Sequence, residues 1–207
     1  MQVSSMSLLF LTSSFVLQVH GNTKAPLLQF RRQPAPESVK VFAFCQMEPS
    51  SDLAADLPSI RGSVLFSQRY PGGRLKADIN LAGFALTRVQ PLCAIHVHQY
   101  GVLNGSCPST GPHYNPHHVN HPLHPGDFNN FRVRNGKIVE HLRNLRASLF
   151  GPESILGRAV VIHEKEDDLG LGGDEESVKN GNAGRKLACC TIAVSNGDLW
   201  RQMVPNQ

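Results

Sequence analysis

An all-β fold is what this sequence predicts, and three observations carry the expectation. Seven short apolar runs succeed one another: VKVFAFC (39–45), IRGSVLFSQ (60–68), LKADINLAGFAL (75–86), CAIHVHQYG (93–101), FRVRNGKIVEHL (131–142), GRAVVIHEK (157–165) and KLACCTIAV (186–194). Each is rich in Val, Ile or Phe and is bounded by Gly, Pro, Asn or Asp, the pattern of strands separated by turns. No helical periodicity lasts beyond two turns, and only DLAADL and DEESVK could each form a short helix. Regularly spaced short strands favour a sandwich or a barrel.

Ahead of the strands, residues 2–19 carry no charge and include LLFLTSSFVL, too short to span a bilayer. Val19 and Gly21 fit the −3 and −1 positions of a cleavage site, so residues 1–21 read as a secretory signal peptide. Residues 22–38 are proline-bearing and aperiodic, a linker. One domain is expected over residues 39–200 and a short tail over 201–207. No other stretch is apolar enough to cross a membrane.

The net charge of +4 is unevenly placed. Arg132, Arg134, Lys137, Arg143 and Arg146 lie in one run, whereas Glu164, Glu166, Asp167, Asp168, Asp174, Glu175 and Glu176 lie in another. The basic run could touch an extracellular polyanion, but such a run is more often the solvated face of strands. Five cysteines, Cys45, Cys93, Cys107, Cys189 and Cys190, suit an oxidising compartment and leave one unpaired. None forms a C-x-x-C pair, which argues against a cysteine zinc site; spacing alone leaves the connectivity open. Asn104-Gly105-Ser106 is a candidate N-glycosylation sequon.

Two long loops interrupt the strands, at 101–130 and 166–184, and loops longer than about 15 residues are usually functional. The first contains HYNPHHVNHPLHPGD, which holds five of the ten histidines, and its prolines stiffen it. In AIHVHQYG, His96 and His98 flank a valine, so on a strand both imidazoles point to the same face. His163 lies in or at the end of another strand. Neutral imidazole suits copper and zinc.

AIHVHQYG, GPHYNP, HPGD, VVIHEKEDDLG and GNAGRKLACC together resemble copper–zinc superoxide dismutase, closest to its secreted, extracellular branch, from about Val39 to Trp200. The resemblance implies an eight-stranded Greek-key β-barrel or sandwich with long metal-binding and electrostatic loops. It implies one copper per subunit on His96, His98, His113 and His163, and one zinc on His113, His121, His124 and Asp127. Asp167 takes the place of the carboxylate that links the two sets of ligands. His117 and His118 match no ligand position and read as surface residues. The implied reaction is disproportionation of superoxide to oxygen and hydrogen peroxide by Cu(II)/Cu(I) cycling, with His113 as the bridge between the metals. A non-catalytic copper carrier on the same fold is the alternative, but all seven ligand positions are filled.

Glu175, Glu176 and Lys179 match the family's electrostatic guidance loop. Lys186 stands where the family has an arginine, with Arg185 just before it; lysine keeps the charge but loses the planar fork. The resemblance further implies disulfides Cys107–Cys189 and Cys45–Cys190, a homodimer or homotetramer, and secretion to the extracellular space. The last ten residues hold one cation, Arg201, so heparin-type polyanion binding is expected to be weak or absent.

Overall fold

The computed structural model describes residues 38–87 and 90–203. The signal-peptide reading, the linker up to residue 37 and the end of the tail, 204–207, lie outside these residues. Among the described residues nine strands form: β1 (Val39–Pro49), β2 (Arg61–Tyr70), β3 (Leu75–Ala82), β4 (Leu92–His98), β5 (Asp127–Arg132), β6 (Lys137–Leu145), β7 (Ala159–His163), β8 (Lys186–Thr191) and β9 (Ala193–Ser195). Eight of them follow the antiparallel order β5-β4-β7-β8-β1-β2-β3-β6, and the short β9 pairs with β1. Because β3 pairs with β6 and β4 with β7, the connections cross the barrel in Greek-key fashion. The sheet is nearly closed, its two end strands being consecutive in the chain.

Those end strands correct the expectation of one strand over 131–142. Asn135 (φ 50°) and Gly136 (φ 71°) are both left-handed, and Arg134 and Lys137 exchange backbone hydrogen bonds of 2.8 and 3.0 Å. Asn-Gly is the sequence that a type I′ hairpin turn requires. KLACCTIAV likewise splits around Ile192, whose backbone is held by Gly157 and Arg158.

Alternation decides where the chemistry sits. On β4, Cys93, Ile95 and Val97 enter the main core together with Val160 and Ile162 of β7. Ala94, His96 and His98 therefore face outward, as do Ala159, Val161 and His163. Yet every one of them is buried, because the long loops fold over this wall. A second apolar cluster, Cys107, Ala159, Val161 and Cys189, forms beneath the first loop.

Two disulfides join Cys45 to Cys190 and Cys107 to Cys189, with Cα separations of 5.4 and 5.7 Å. The second closes a separation of 82 residues, worth roughly 4 kcal/mol in the chain-entropy model. Of the two short helices suggested by the sequence, DEESVK contributes to α1 (Glu175–Asn180), whose first turn is capped by the Asp174 carboxylate accepting from Ser177 N at 2.8 Å. DLAADL makes only turns; Pro58 disfavours a helical residue before it. A second helix, α2 (Gly197–Met203), is an addition to the sequence reading, pinned by buried Trp200 against Phe42 at a ring separation of 5.9 Å.

Cys93 remains a free, buried thiol, and burial followed by the nearby Glu164 charge pushes it up to about 11. Since the thiolate is the nucleophile, iodoacetamide at pH 8 is expected to label Cys93 more than about tenfold faster in denaturant than in the folded protein. Equal rates, read by mass spectrometry, would contradict this burial.

Candidate metal centre

Seven side chains converge outside the barrel wall. His96 and His98 come from β4, His163 from the end of β7 and Asp127 from the start of β5, while His113, His121 and His124 come from the first long loop. They form two groups, His96/His98/His113/His163 and His113/His121/His124/Asp127, and within each group the candidate donor atoms lie within 4.8 Å of one another. Every member is buried, and His113 belongs to both groups.

Each of the other imidazoles is held by one ring nitrogen and directs the other inward. His98 Nδ1 lies 2.8 Å from Gly111 O, His163 Nδ1 3.3 Å from Gly184 O and His124 Nε2 3.1 Å from Val119 O. Asp167 takes His96 Nε2 on Oδ2 and His121 Nε2 on Oδ1, both at 2.8 Å. On the inner side, His96 Nδ1, His113 Nε2, His121 Nδ1 and His124 Nδ1 are buried without a hydrogen-bond partner. His98 Nε2 and His163 Nε2 lie 3.1 Å apart. Three ring nitrogens crowd Asp127, those of His113, His121 and His124, at 3.1, 2.9 and 3.0 Å; the last two are not aligned as hydrogen bonds.

Buried polar atoms normally find partners, so four inward orphans in one place mark a cation site. Burial, then neighbouring imidazoles, holds His98 and His163 well below the ordinary histidine range, and burial takes His113 down to about 4 despite the Asp127 hydrogen bond. These rings are neutral, the form that binds metal. Burial also opposes charge on His121, but the Asp127 and Asp167 carboxylates beside its two ring nitrogens hold it up at about 9. Both carboxyls sit far below the usual range: burial would raise them, and the imidazoles gathered around each outweigh it.

A cavity of about 920 Å³ opens onto His98, His113 and His163. Lys186 lines it, and its ammonium donates to Gly111 O at 2.6 Å and Thr110 Oγ1 at 3.1 Å. Burial lowers this lysine to about 8.

Three comparisons with known proteins bear on this geometry. The family model described as copper/zinc superoxide dismutase matches residues 60–192. The chain belongs to the copper/zinc superoxide dismutase family. It is 51% identical over 173 residues to the extracellular superoxide dismutase [Cu-Zn] of Rattus norvegicus, covering 84% of this chain and 71% of that protein. With the Homo sapiens protein of the same name it shares 53% over 160 residues, covering 77% and 67% respectively. A crystal structure titled as the clock protein EA4 superposes with a TM-score of 0.61 at 35% identity, over 74% of this chain and 94% of that one. The family's metals, copper and zinc, suit the two donor sets: four imidazoles in one, and in the other three imidazoles and a carboxylate, a closed tetrahedral complement.

Other expected site residues of this dismutase chain distribute unevenly. Glu176 and Lys179 line the cavity mouth. Glu175 does not line it, but pairs with Lys179 at 2.6 Å. Arg185 is not brought to the cavity. Neighbours on an extended chain face opposite ways, and Arg185 lies outside in a two-pronged pair with Glu164, both contacts 2.8 Å. His117 and His118 are both exposed, as read from the sequence: His117 pairs with Glu153, and His118 stands at the cavity mouth, which Lys165 and Asn182 also line.

Sequence reasoning also missed Asn130, whose amide brackets the Asp167 backbone with two 2.8 Å hydrogen bonds. Gly181 was another omission. It has φ 70°, and a Cβ there would stand 1.9 Å from Asp167 Oδ1, so only glycine admits the carboxylate. Asp167→Asn is expected to weaken metal retention about 10–100-fold in chelator competition, because an amide cannot accept from both imidazoles through two oxygens. Unchanged retention would show that the rings hold their orientation without it.

Proposed function

We propose that the chain is a secreted copper–zinc superoxide dismutase that converts two superoxide ions and two protons into one dioxygen and one hydrogen peroxide. The observation that carries this reading is the position of His113, a buried imidazole common to both donor groups with Nε2 unpartnered and Nδ1 beside Asp127. In this reading His96, His98, His113 and His163 hold copper, and His113, His121, His124 and Asp127 hold zinc. Copper, when bound, supplies the Cu(II)/Cu(I) couple, and zinc supplies charge and structure without redox chemistry.

The protein's part is to position groups, to steer the anion and to hold a proton. Asp167 fixes His96 and His121 in one orientation each. His113 Nε2 is the atom that accepts and returns a proton between the two half-reactions. Lys186 places a cation beside the copper group, while the acidic Glu175 and Glu176 discourage anions from settling elsewhere on the rim. Secretion is supported by the extracellular names of the similar proteins and by two disulfides, which persist in oxidising compartments.

Association into a homodimer or homotetramer is supported by apolar side chains left exposed: Tyr100 at 58% and Val194 at 69%. Their segments adjoin, since Val102 N donates to Thr191 Oγ1 at 2.8 Å. No described helix is long and apolar enough to cross a membrane.

Purified mature chain should contain one copper and one zinc and disproportionate superoxide, and His113→Ala should lose most of that activity. A wild-type chain that binds both metals without dismutation would make it a metal carrier instead. The lysine yields a pH signature. With its value lowered to about 8, Lys186 is cationic below that pH and loses its charge as pH rises through it. Wild-type kcat/KM and its salt dependence should therefore fall between about pH 8 and 9, whereas Lys186→Arg holds both, because arginine stays protonated. Identical pH profiles would remove Lys186 from the steering role.

A further inference from the structure

We propose that Thr110 is a positioning residue for the incoming anion, its hydroxyl oxygen fixing the direction in which the Lys186 ammonium faces the cavity. This deepens the dismutase reading and rests on it. An ammonium carries three N–H donors at the end of a flexible stem, so charge alone leaves it free to swing. Two acceptors hold it here, Gly111 O at 2.6 Å and Thr110 Oγ1 at 3.1 Å. Gly111 O also takes His98 Nδ1 at 2.8 Å, which ties the ammonium to a histidine of the copper group. One hydrogen bond would still let the ammonium turn about it. The second acceptor removes that freedom and leaves one N–H for an anion.

Thr110 is suited to this task by its surroundings. It is fully buried and ends a 3₁₀ turn, Cys107–Thr110. Its own hydroxyl proton goes to Cys107 O at 2.7 Å, so Oγ1 meets the ammonium as an acceptor. Both acceptors are neutral. A carboxylate in their place would also hold the ammonium, but it would cancel the charge that draws an anion in. Among the described residues no carboxylate forms an ion pair with Lys186.

The backbone of the segment is fixed by other bonds. Tyr100 N donates to Thr110 O at 3.0 Å, and Gln99 N donates to Pro112 O at 2.8 Å. Cys107, at the start of the turn, is bonded to Cys189. Removing the hydroxyl therefore takes an acceptor from Lys186 while the turn keeps its anchors.

The test compares metal-loaded wild type, Thr110→Val, Thr110→Ser, Lys186→Met and the variant that combines Thr110→Val with Lys186→Met. Azide is the anion probe, its affinity read from visible absorption of the copper form, and the salt dependence of kcat/KM is measured beside it. Thr110→Val should weaken azide binding about 3–10-fold, the range of one hydrogen bond, and leave the salt dependence unchanged because the cation remains. Thr110→Ser keeps the acceptor and should bind azide like wild type. Lys186→Met should lose both affinity and salt dependence, and adding Thr110→Val to it should change nothing further. Wild-type affinity in Thr110→Val overturns the proposal. So does an equal loss in the Lys186→Met background, which would place the effect in the turn. Wild type alone decides if the valine variant does not fold. In ¹⁵N–¹H spectra of the reduced, diamagnetic holoprotein at about pH 6, where lysine is protonated, the Lys186 ammonium should give a resolved signal in slow exchange with water. An ammonium averaged with water overturns the proposal. A chain with the expected azide pattern and ammonium signal but no dismutation overturns the dismutase reading and supports the role of Thr110.

Discussion

Six imidazoles cannot be packed against one barrel wall unless something decides which nitrogen of each ring faces the others. Asp167 makes that decision for two of them at once, one oxygen to His96 and the other to His121, and so ties one donor group to the other. Carbonyls of Gly111, Gly184 and Val119 settle His98, His163 and His124. Of the six, only His113 is held by neither a backbone carbonyl nor Asp167; its one ring partner is Asp127, and its Nε2 faces the other donor group. The inward nitrogens that result are costly to bury unpaired, at about 1–3 kcal/mol each, and bound cations offset that cost. Stability and metal loading are consequently coupled in this fold.

Holding Asp167 in place is the task of the second long loop. Asn130 on β5 clamps its backbone, and Leu169 N donates to Oδ1 at 2.7 Å. Asp168, the next residue, turns the other way and gathers Ser177 Oγ, Asn182 Nδ2 and Gly170 N. One acidic pair therefore organises the metal centre on one side and the loop with α1 on the other. Gly181 completes the arrangement by leaving room for the carboxylate.

What could be read in the sequence follows from how local the signal is. H-x-H on a strand fixes His96 and His98 on one face by alternation alone, and seven apolar runs suffice for an all-β class. Asn135-Gly136 carried a hairpin signal that the continuous apolar pattern around it concealed. Helix α2 was hidden because GDLWRQM is too short for periodicity to show; its stability comes from Trp200 meeting Phe42, a contact between distant parts of the chain. Asn130 and Gly181 were illegible for the same reason, since their roles exist only once Asp167 lies beside them. Arg185 illustrates the converse: two adjacent cations look equivalent in sequence, and alternation gives the cavity only one.

The cation that does reach the cavity is positioned by the same device that positions a metal-group histidine. Gly111 O accepts from both His98 Nδ1 and Lys186 Nζ, at 2.8 and 2.6 Å. Thr110 Oγ1 accepts from the same ammonium while donating to Cys107 O at 2.7 Å. Cys107 is in turn bonded to Cys189, three residues beyond Lys186 on the same strand. Disulfide, 3₁₀ turn, carbonyl, imidazole and ammonium thus form one closed circuit. Breaking the disulfide frees the turn that carries the shared carbonyl, so its effect on chemistry need not pass through global unfolding. The circuit also tempers the replacement of arginine by lysine. A point charge lacks the fork that would orient a bound anion by itself, but here the ammonium is fixed by two acceptors belonging to the protein. What lysine gives up is constancy of charge, because burial in this corner brings its proton within reach of mildly alkaline solution.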